Sequence, residues 1–180
     1  MKTKPTYISG DHKKSDFFNN QSRLVLGCSG LGGGWRPIEE KTAVGILLHA
    51  LENGVSVLDT APSYNKSQEF VGKALKLWSG KKPFISTKVG RLKADKAEET
   101  IVDYSPETMR KSVYESLEII GVDSIDLLFL HEPHLVPIEK IDEIMDCLQS
   151  FKKEGIVKSL GIGGNPIDRF YPHMIKDNFD

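Results

Sequence analysis

The sequence predicts an α/β fold in which helices cover a parallel sheet. Short apolar segments typical of strands alternate with longer segments of helical spacing, and this β-α pair occurs five times from residue 23 onward. Glycine follows three of the helical segments, at the position where helices commonly end. Regular alternation of this kind is typical of parallel α/β folds.

The composition excludes several classes of function. The 180 residues carry 24 Lys and Arg against 25 Asp and Glu, a net charge of -1, which gives no electrostatic footprint for nucleic acid or an anionic membrane. No apolar run approaches the ~20 residues of a membrane span, and no signal peptide is indicated. Cys28 and Cys147 are too few for a disulfide framework and lack metal-ligand spacing. We therefore expect a soluble protein in a reducing compartment, the cytoplasm.

The first half of the chain begins with a polar lead-in over residues 1–22, and residues 23–180 are expected to form one domain. Strand 24–26 leads into a glycine-rich loop. The helix predicted over 39–53 ends before Gly54, and its apolar positions at helical spacing are Ala43, Ile46, Leu47, Ala50 and Leu51. Strand 55–58, helix 67–78 and strand 84–87 follow.

The second half repeats the pattern. Ser105 and Pro106 open a helix as N-cap and first helical residue, and Gly121 ends it. Its predicted inward residues are Met109, Val113, Leu117 and Ile120. Segment 125–130 is almost continuously apolar, as expected for a strand buried on both faces. A helix over 138–153, a strand over 156–162 and a short helix over 168–176 complete the prediction.

Two architectures fit five β-α units. One is a doubly wound open sheet, which five strands can complete. The other is a (β/α)₈ barrel, which usually needs ~250 residues and at least ~200. On the second interpretation, these 180 residues contain only about the first five βα units and appear truncated. Such a piece is expected to bind a dinucleotide poorly and to turn over little.

Ionisable residues follow three consecutive predicted strands. Asp59, Lys88 and His131 stand at the strand ends, and Tyr64 lies five residues beyond Asp59. Taken singly, each has a structural interpretation as a turn, solvated, hydrogen-bonded or packing residue. In parallel α/β folds, however, chemistry gathers at the carboxyl ends of the strands. The placement of all four at one edge therefore favours a catalytic role.

These four side chains suit the interconversion of a carbonyl and an alcohol. A buried lysine is costly unless a carboxylate partners it, so Asp59 is expected to hold Lys88 charged. A nearby ammonium favours a phenolate, which helps Tyr64 to give or take a proton. His131 can donate a hydrogen bond to a carbonyl oxygen. A cofactor would supply the hydride, and no metal site is predicted.

The segments around these residues resemble the aldo-keto reductases. They read VLDTAPSY over 57–64, the run from Ser67 to Leu75, ISTKVG over 85–90 and IDLLFLH over 125–131, in the order of the family. The resemblance implies a (β/α)₈ barrel, NADP(H) or NAD(H) as cofactor and a small carbonyl or sugar substrate. It also implies a catalytic tetrad, whose members are Asp59, Tyr64, Lys88 and His131. The cofactor-binding residues it implies are Gly27, Cys28 and Ser29 beside the nicotinamide, Asp59, and Asn165 at the carboxamide.

The sequence departs from the family pattern at several positions. Asn65 replaces the usual glycine after the tyrosine, and asparagine tolerates a left-handed backbone. Gln68 replaces the usual glutamate, which removes one charge near the cofactor side. The short segments around Pro133 and before Asn165 resemble those of the aldose and pyridoxal dehydrogenase branch of the family.

The loop from Gly30 to Gly34 does not match the phosphate-binding pattern G-x-G-x-x-G, because Trp35 stands where the last glycine is required. Its glycines either let the backbone pass close to the nicotinamide or the barrel rim, or form a plain flexible loop. Trp35 either lines a substrate pocket or caps the barrel end.

Two other functions remain open at this level. Lys88 could form a Schiff base with a carbonyl substrate, as in a barrel lyase. The chain could also be a non-catalytic cofactor-binding or auxiliary module.

Overall fold

The computed structural model describes residues 21–22, 24–94, 101–164, 170 and 179–180. A main sheet and four helices make up most of this part. The elements in chain order are β1 (Val25–Gly27), α1 (Glu40–Glu52), β2 (Val57–Asp59), α2 (Ser67–Leu77), β3 (Phe84–Val89), β4 (Arg91–Leu92), β5 (Ile101–Val102), α3 (Pro106–Ile120), β6 (Ile125–His131), α4 (Ile141–Lys153) and β7 (Val157–Gly163).

Five of the strands form one parallel sheet in the order β1-β2-β3-β6-β7. Each of these strands lies beside its predecessor, with no reversal of order. A doubly wound sheet requires such a reversal at its switch point, so the observed order argues against that alternative. Five parallel strands added in one direction are the arrangement of the first part of a (β/α)₈ barrel.

The connection between β3 and α3 contains an antiparallel pair that the sequence does not reveal. Strands β4 and β5 pair through Arg91 with Val102 and Leu92 with Ile101. Two-residue strands are too short to show a hydrophobic period, which is why the pattern predicted no strand here.

The predicted end signals of α3 are confirmed. The Ser105 hydroxyl accepts a hydrogen bond from the backbone N–H of Thr108, Pro106 is the first helical residue, and Gly121 adopts a φ of 77° after the last turn. The four predicted inward residues of α3 are buried. Helix α4 begins at Ile141 and not at Ile138, because residues 138–140 form a 3₁₀ turn after Pro137.

The core is built from two adjoining clusters. One lies between β6, β7, α3 and α4, and the other between β2, β3, α1 and α2. In α1 the apolar positions at helical spacing include Ile46, but Ile46 is 41% exposed and Val44 is buried instead. Strand β6 is less enclosed than predicted: Leu128 and Leu130 are buried, whereas Leu127 and Phe129 on the opposite face are half-buried.

The predicted helix over 168–176 lies outside the described residues except for Phe170. Within the described ranges, none of the helices has the length and apolar character needed to cross a membrane.

Candidate active site at the carboxyl ends of the strands

Lys88 and Asp59 form a nearly buried ion pair at the carboxyl ends of β3 and β2. The Lys88 Nζ lies 2.8 and 2.7 Å from the two carboxylate oxygens of Asp59 and donates to the carbonyl of Thr60 at 3.0 Å. The Ser86 hydroxyl also donates to Asp59, at 2.7 Å. Only 7% of Lys88 is exposed. Because a buried ammonium is costly when unpaired, these contacts supply the partners that Lys88 needs at this buried position.

Tyr64 reaches this ion pair from the loop after β2. Its ring centroid lies 4.7 Å from the Lys88 Nζ, and the ring of Phe129 lies 5.7 Å from the same atom. The rings of Tyr64 and His131 meet edge to face, with centroids 6.0 Å apart. The structure thus brings together all four predicted side chains, which come from stretches far apart in sequence. Asp59, Tyr64, Lys88 and His131 are called the strand-end site below.

His131 is the last residue of β6 and is almost completely buried. The Ser63 hydroxyl lies 3.5 Å from its Nδ1. Burial, together with the positive charges of Lys88 and Arg91, lowers the pKa of His131 from its usual value to about 4. The imidazole is therefore neutral near pH 7, a state in which one ring nitrogen carries a proton and can donate it to a hydrogen bond.

The glycine-rich loop packs tightly against the loop after β2 at Tyr64. A Cβ added to Gly32 would lie 1.7 Å from the Tyr64 carbonyl oxygen, so only glycine fits there. The Gly32 carbonyl accepts from the Lys66 N–H at 3.2 Å. Asn65, which lies between Tyr64 and Lys66 in the chain, has a φ of 53°. The glycine-rich loop is therefore not a plain flexible loop at Gly32, and Asn65 uses the left-handed backbone that the sequence suggested.

The Ser67 hydroxyl adds hydrogen bonds that hold these loops together, a role that was not predicted from the sequence. It donates to the Cys28 carbonyl at 3.0 Å and lies 2.7 Å from the Thr60 hydroxyl. Thr60 in turn accepts from Lys88. A serine at the start of a helix gives no local signal of this role, because its partners come from two other loops.

The predicted cofactor-binding residues after β1 differ in accessibility. Gly27 is exposed and nothing lies within 4 Å of the position that a Cβ would occupy, whereas Cys28 is completely buried. Burial and the nearby Asp59 raise the pKa of the Cys28 thiol to about 12. The open space over Gly27, beside the ion pair, is compatible with a flat nicotinamide ring. Ser29 is half-buried, and Asn165 lies outside the described residues.

Gln68, which stands where the family usually has glutamate, joins two helices and a strand. Its side chain is buried, and its amide donates to the hydroxyls of Thr87 and Ser116 at 3.0 and 2.9 Å. These contacts join α2 to β3 and α3, so the side chain packs the helices together. Trp35 is 82% exposed, and both interpretations of it stay predictions.

Comparison with known proteins agrees with this architecture. The family model "Aldo/keto reductase family" matches residues 23–174. The chain is 34% identical to the L-galactose dehydrogenase of Arabidopsis thaliana over 154 residues, which are 83% of this chain and 46% of that protein. It is 35% identical over 127 residues to the D-arabinose 1-dehydrogenase of Saccharomyces cerevisiae, covering 68% of this chain and 36% of that protein.

A solved relative gives the same picture. The aldo-keto reductase AKR11C1 from Bacillus halodurans, in its holo form, superposes with a TM-score of 0.73 at 31% identity, over 87% of this chain and 50% of that one. The chain spans about half or less of the length of these relatives. The predicted fold, the first part of a (β/α)₈ barrel, is confirmed, and the chain belongs to the aldo/keto reductase family.

Proposed function

We propose that this chain provides the catalytic side chains of an NAD(P)-dependent oxidoreductase, which interconverts a carbonyl and an alcohol with Tyr64 as general acid and base. The observation that supports this most directly is the Lys88 ammonium, held between the carboxylate of Asp59 and the ring of Tyr64. A proton donor, a fixed positive charge and a neutral imidazole within one small region are what carbonyl reduction needs from a protein.

The nicotinamide dinucleotide, when bound, supplies or accepts the hydride. Gly27 and Ser29 are the proposed neighbours of its nicotinamide, with Asp59 close by and Asn165 proposed for the carboxamide. The exposed Gly27, with no atom near its missing side chain, supports this assignment. Cys28 contributes only through its backbone, since its thiol is completely buried.

Three side chains have different roles in the reaction at the substrate oxygen. Neutral His131 donates a hydrogen bond that orients the carbonyl and stabilises the negative charge developing on its oxygen. Tyr64 gives that oxygen a proton in reduction and takes it back in oxidation. Lys88 stabilises the phenolate that remains, because its charge is fixed by Asp59 and the Thr60 carbonyl.

We propose an aldose as the substrate. The names of two relatives, L-galactose dehydrogenase and D-arabinose 1-dehydrogenase, support a sugar with an oxidisable hydroxyl. Cys28 and Cys147 are both free thiols, which is compatible with the cytoplasm as the proposed location.

The test is an assay of aldoses and small aldehydes with NAD and NADP in both oxidation states. Tyr64→Phe keeps the ring but removes the transferable proton, so we expect turnover to fall by about 10²-fold or more. The matched control is Tyr114→Phe on the surface of α3, which should leave turnover unchanged. Measurable and equal turnover by Tyr64→Phe and the unsubstituted chain would overturn the proposal.

The same assay separates the two other functions. A Schiff base needs an unprotonated lysine, and the three short contacts of the Lys88 Nζ disfavour it. Borohydride trapping of a carbonyl substrate on Lys88 would support it nonetheless. Quenching of reduced-nicotinamide fluorescence, without turnover of any substrate, would indicate an auxiliary cofactor-binding module.

A further inference from the structure

Tyr104 lies just before α3 and is not one of the four side chains of the strand-end site. It is 7% exposed, and its hydroxyl lies 2.8 Å from the carbonyl oxygen of His131 and 2.9 Å from that of Glu132. A phenol has one proton to donate, so the two carbonyls share it. The hydroxyl is thus directed at the peptide that carries the His131 imidazole.

The backbone that Tyr104 contacts has an unusual conformation. Glu132 adopts a φ of 53°, in the left-handed region that costs a non-glycine residue about 1 kcal/mol. Its carboxylate lies 3.6 Å from Arg91 and 3.4 Å from His134. A strained turn persists only where its surroundings fix it. The backbone carbonyl of Glu132 accepts from the Tyr104 hydroxyl and from the Leu135 N–H, each at 2.9 Å, whereas Tyr104 also reaches the His131 carbonyl.

The ring of Tyr104 packs on the opposite neighbour, the end of β3. A Cβ added to Gly90 would lie 2.3 Å from the Tyr104 ring, and Gly90 has a φ of 101°. The Gly90 carbonyl accepts from the Asp103 N–H at 2.9 Å. Because Gly90 is two residues beyond Lys88, Tyr104 spans the strand ends that present Lys88 and His131.

We propose that Tyr104 is a positioning residue that sets the imidazole of His131 relative to Lys88 and Tyr64. Its consequence for catalysis rests on the proposed function, whereas its effect on the geometry of His131 does not. Burial and the nearby Glu132 raise the pKa of the Tyr104 hydroxyl, so the group stays protonated and remains a donor.

The first test is an NMR measurement on the 180-residue chain. Tyr104→Phe keeps the ring and removes the donor. We expect the His131 imidazole resonances, assigned with His131→Asn, to shift and broaden in Tyr104→Phe. Tyr114→Phe is the matched control, because that tyrosine is 47% exposed and donates to Glu154 on the surface. His131 resonances that superimpose on those of the unsubstituted chain, in folded Tyr104→Phe, would overturn the proposal.

A second variant covers the case in which Tyr104→Phe does not fold. Site-specific replacement of Tyr104 by 3-fluorotyrosine keeps the hydroxyl and makes it a stronger donor. A shift of the His131 resonances, absent when Tyr114 is replaced in the same way, supports the proposal. Unchanged His131 resonances contradict it.

A kinetic arm distinguishes this inference from the proposed function. In a preparation of the protein that shows carbonyl turnover, we expect Tyr104→Phe to lower kcat about tenfold or more with little change in the KM for the cofactor. The reason is that small misplacements of catalytic groups strongly lower the rate. Shifted His131 resonances in Tyr104→Phe, combined with full turnover by Tyr64→Phe in an active preparation, would contradict the proposed function alone. Lost turnover with unshifted resonances would contradict the positioning role alone.

Discussion

Two lysine–aspartate ion pairs lie at opposite ends of the same parallel sheet. Lys88 and Asp59 meet at the carboxyl ends of their strands, and Lys158 and Asp126 near the amino ends of β7 and β6, each with a shortest distance of 2.7 Å. The side chain of Lys88 is 8% exposed, whereas that of Lys158 is 61% exposed. The two ion pairs therefore differ in the strength of their charge–charge attraction despite equal distances, because the water around Lys158 screens its charge.

The surroundings of the two carboxylates differ as well. Asp126 accepts from the backbone N–H of Ile85 at 2.8 Å and so fixes β3 beside β6. Asp59 accepts from Ser86 and Lys88 and faces an aromatic ring across the ammonium. In barrels of this kind the carboxyl-terminal face carries chemistry and the amino-terminal face carries stability. The comparison indicates that burial of the cation, and not the ion pair itself, separates the two roles.

Replacing each lysine by methionine gives the largest expected difference. Lys88→Met leaves the Asp59 carboxylate without its cation, and we expect a loss of about 3 kcal/mol in unfolding free energy, together with a loss of turnover of about 10²-fold or more. Lys158→Met should cost less than about 1 kcal/mol and leave turnover unchanged. Urea titration and the aldose assay measure both effects, and equal losses in the two variants would remove the distinction.

Two glycine-to-alanine changes sharpen the contrast between the site and the rest of the chain. Gly32→Ala forces a Cβ against the Tyr64 carbonyl, and we expect a loss of about 1–3 kcal/mol with impaired turnover. Gly45→Ala, inside α1 and with nothing within 4 Å of the added Cβ, should gain about 0.5–1 kcal/mol. Thermal unfolding of both variants provides the measurement. If Gly32→Ala left the unfolding free energy unchanged, the two loops around Tyr64 would not be tightly packed.

A pH titration of stability examines the buried imidazole of the site. The folded chain keeps His131 neutral, with its pKa lowered to about 4 from 6.5. Below about pH 6.5 the unfolded chain takes up a proton that the folded chain takes up only near pH 4. Stability is therefore lost as the pH falls through this window.

His131→Asn removes this contribution while leaving the carboxylates in place. Between about pH 7 and pH 4.5, the unsubstituted chain should lose about 2 kcal/mol more than the variant. Unfolding free energies at each pH measure the difference. Parallel pH profiles would show that His131 is not held neutral by burial.

The smallest expected effect concerns the two thiols. Burial raises the pKa of both Cys28 and Cys147, but Cys28 after β1 is completely buried and Cys147 in α4 is 8% exposed. We expect iodoacetamide to label Cys147 slowly and Cys28 only after unfolding, as followed by peptide mass spectrometry. Labelling of Cys28 before Cys147 in the folded chain would contradict the buried environment of Cys28.

Local features of the chain were well predicted from the sequence. The alternation of elements, the cap at Ser105 and the glycine end at Gly121 depend on residues that are neighbours in the chain. The positions of Asp59, Lys88 and His131 at strand ends follow for the same reason. The hairpin of β4 and β5 and the exposed side chain of Ile46 were missed, because neither is determined by a contiguous pattern.

The order and type of the main elements, and the chemical groups at the strand ends, can be read from the amino-acid sequence. The unreversed order of the strands, the contact of Gly32 with Tyr64 and the hydrogen bond from Tyr104 to a carbonyl 27 positions later become visible in the folded chain. The physical reason is the range of the interactions. Helix ends and strand periods arise within a few residues, whereas close packing and shared hydrogen bonds exist only after distant segments have met.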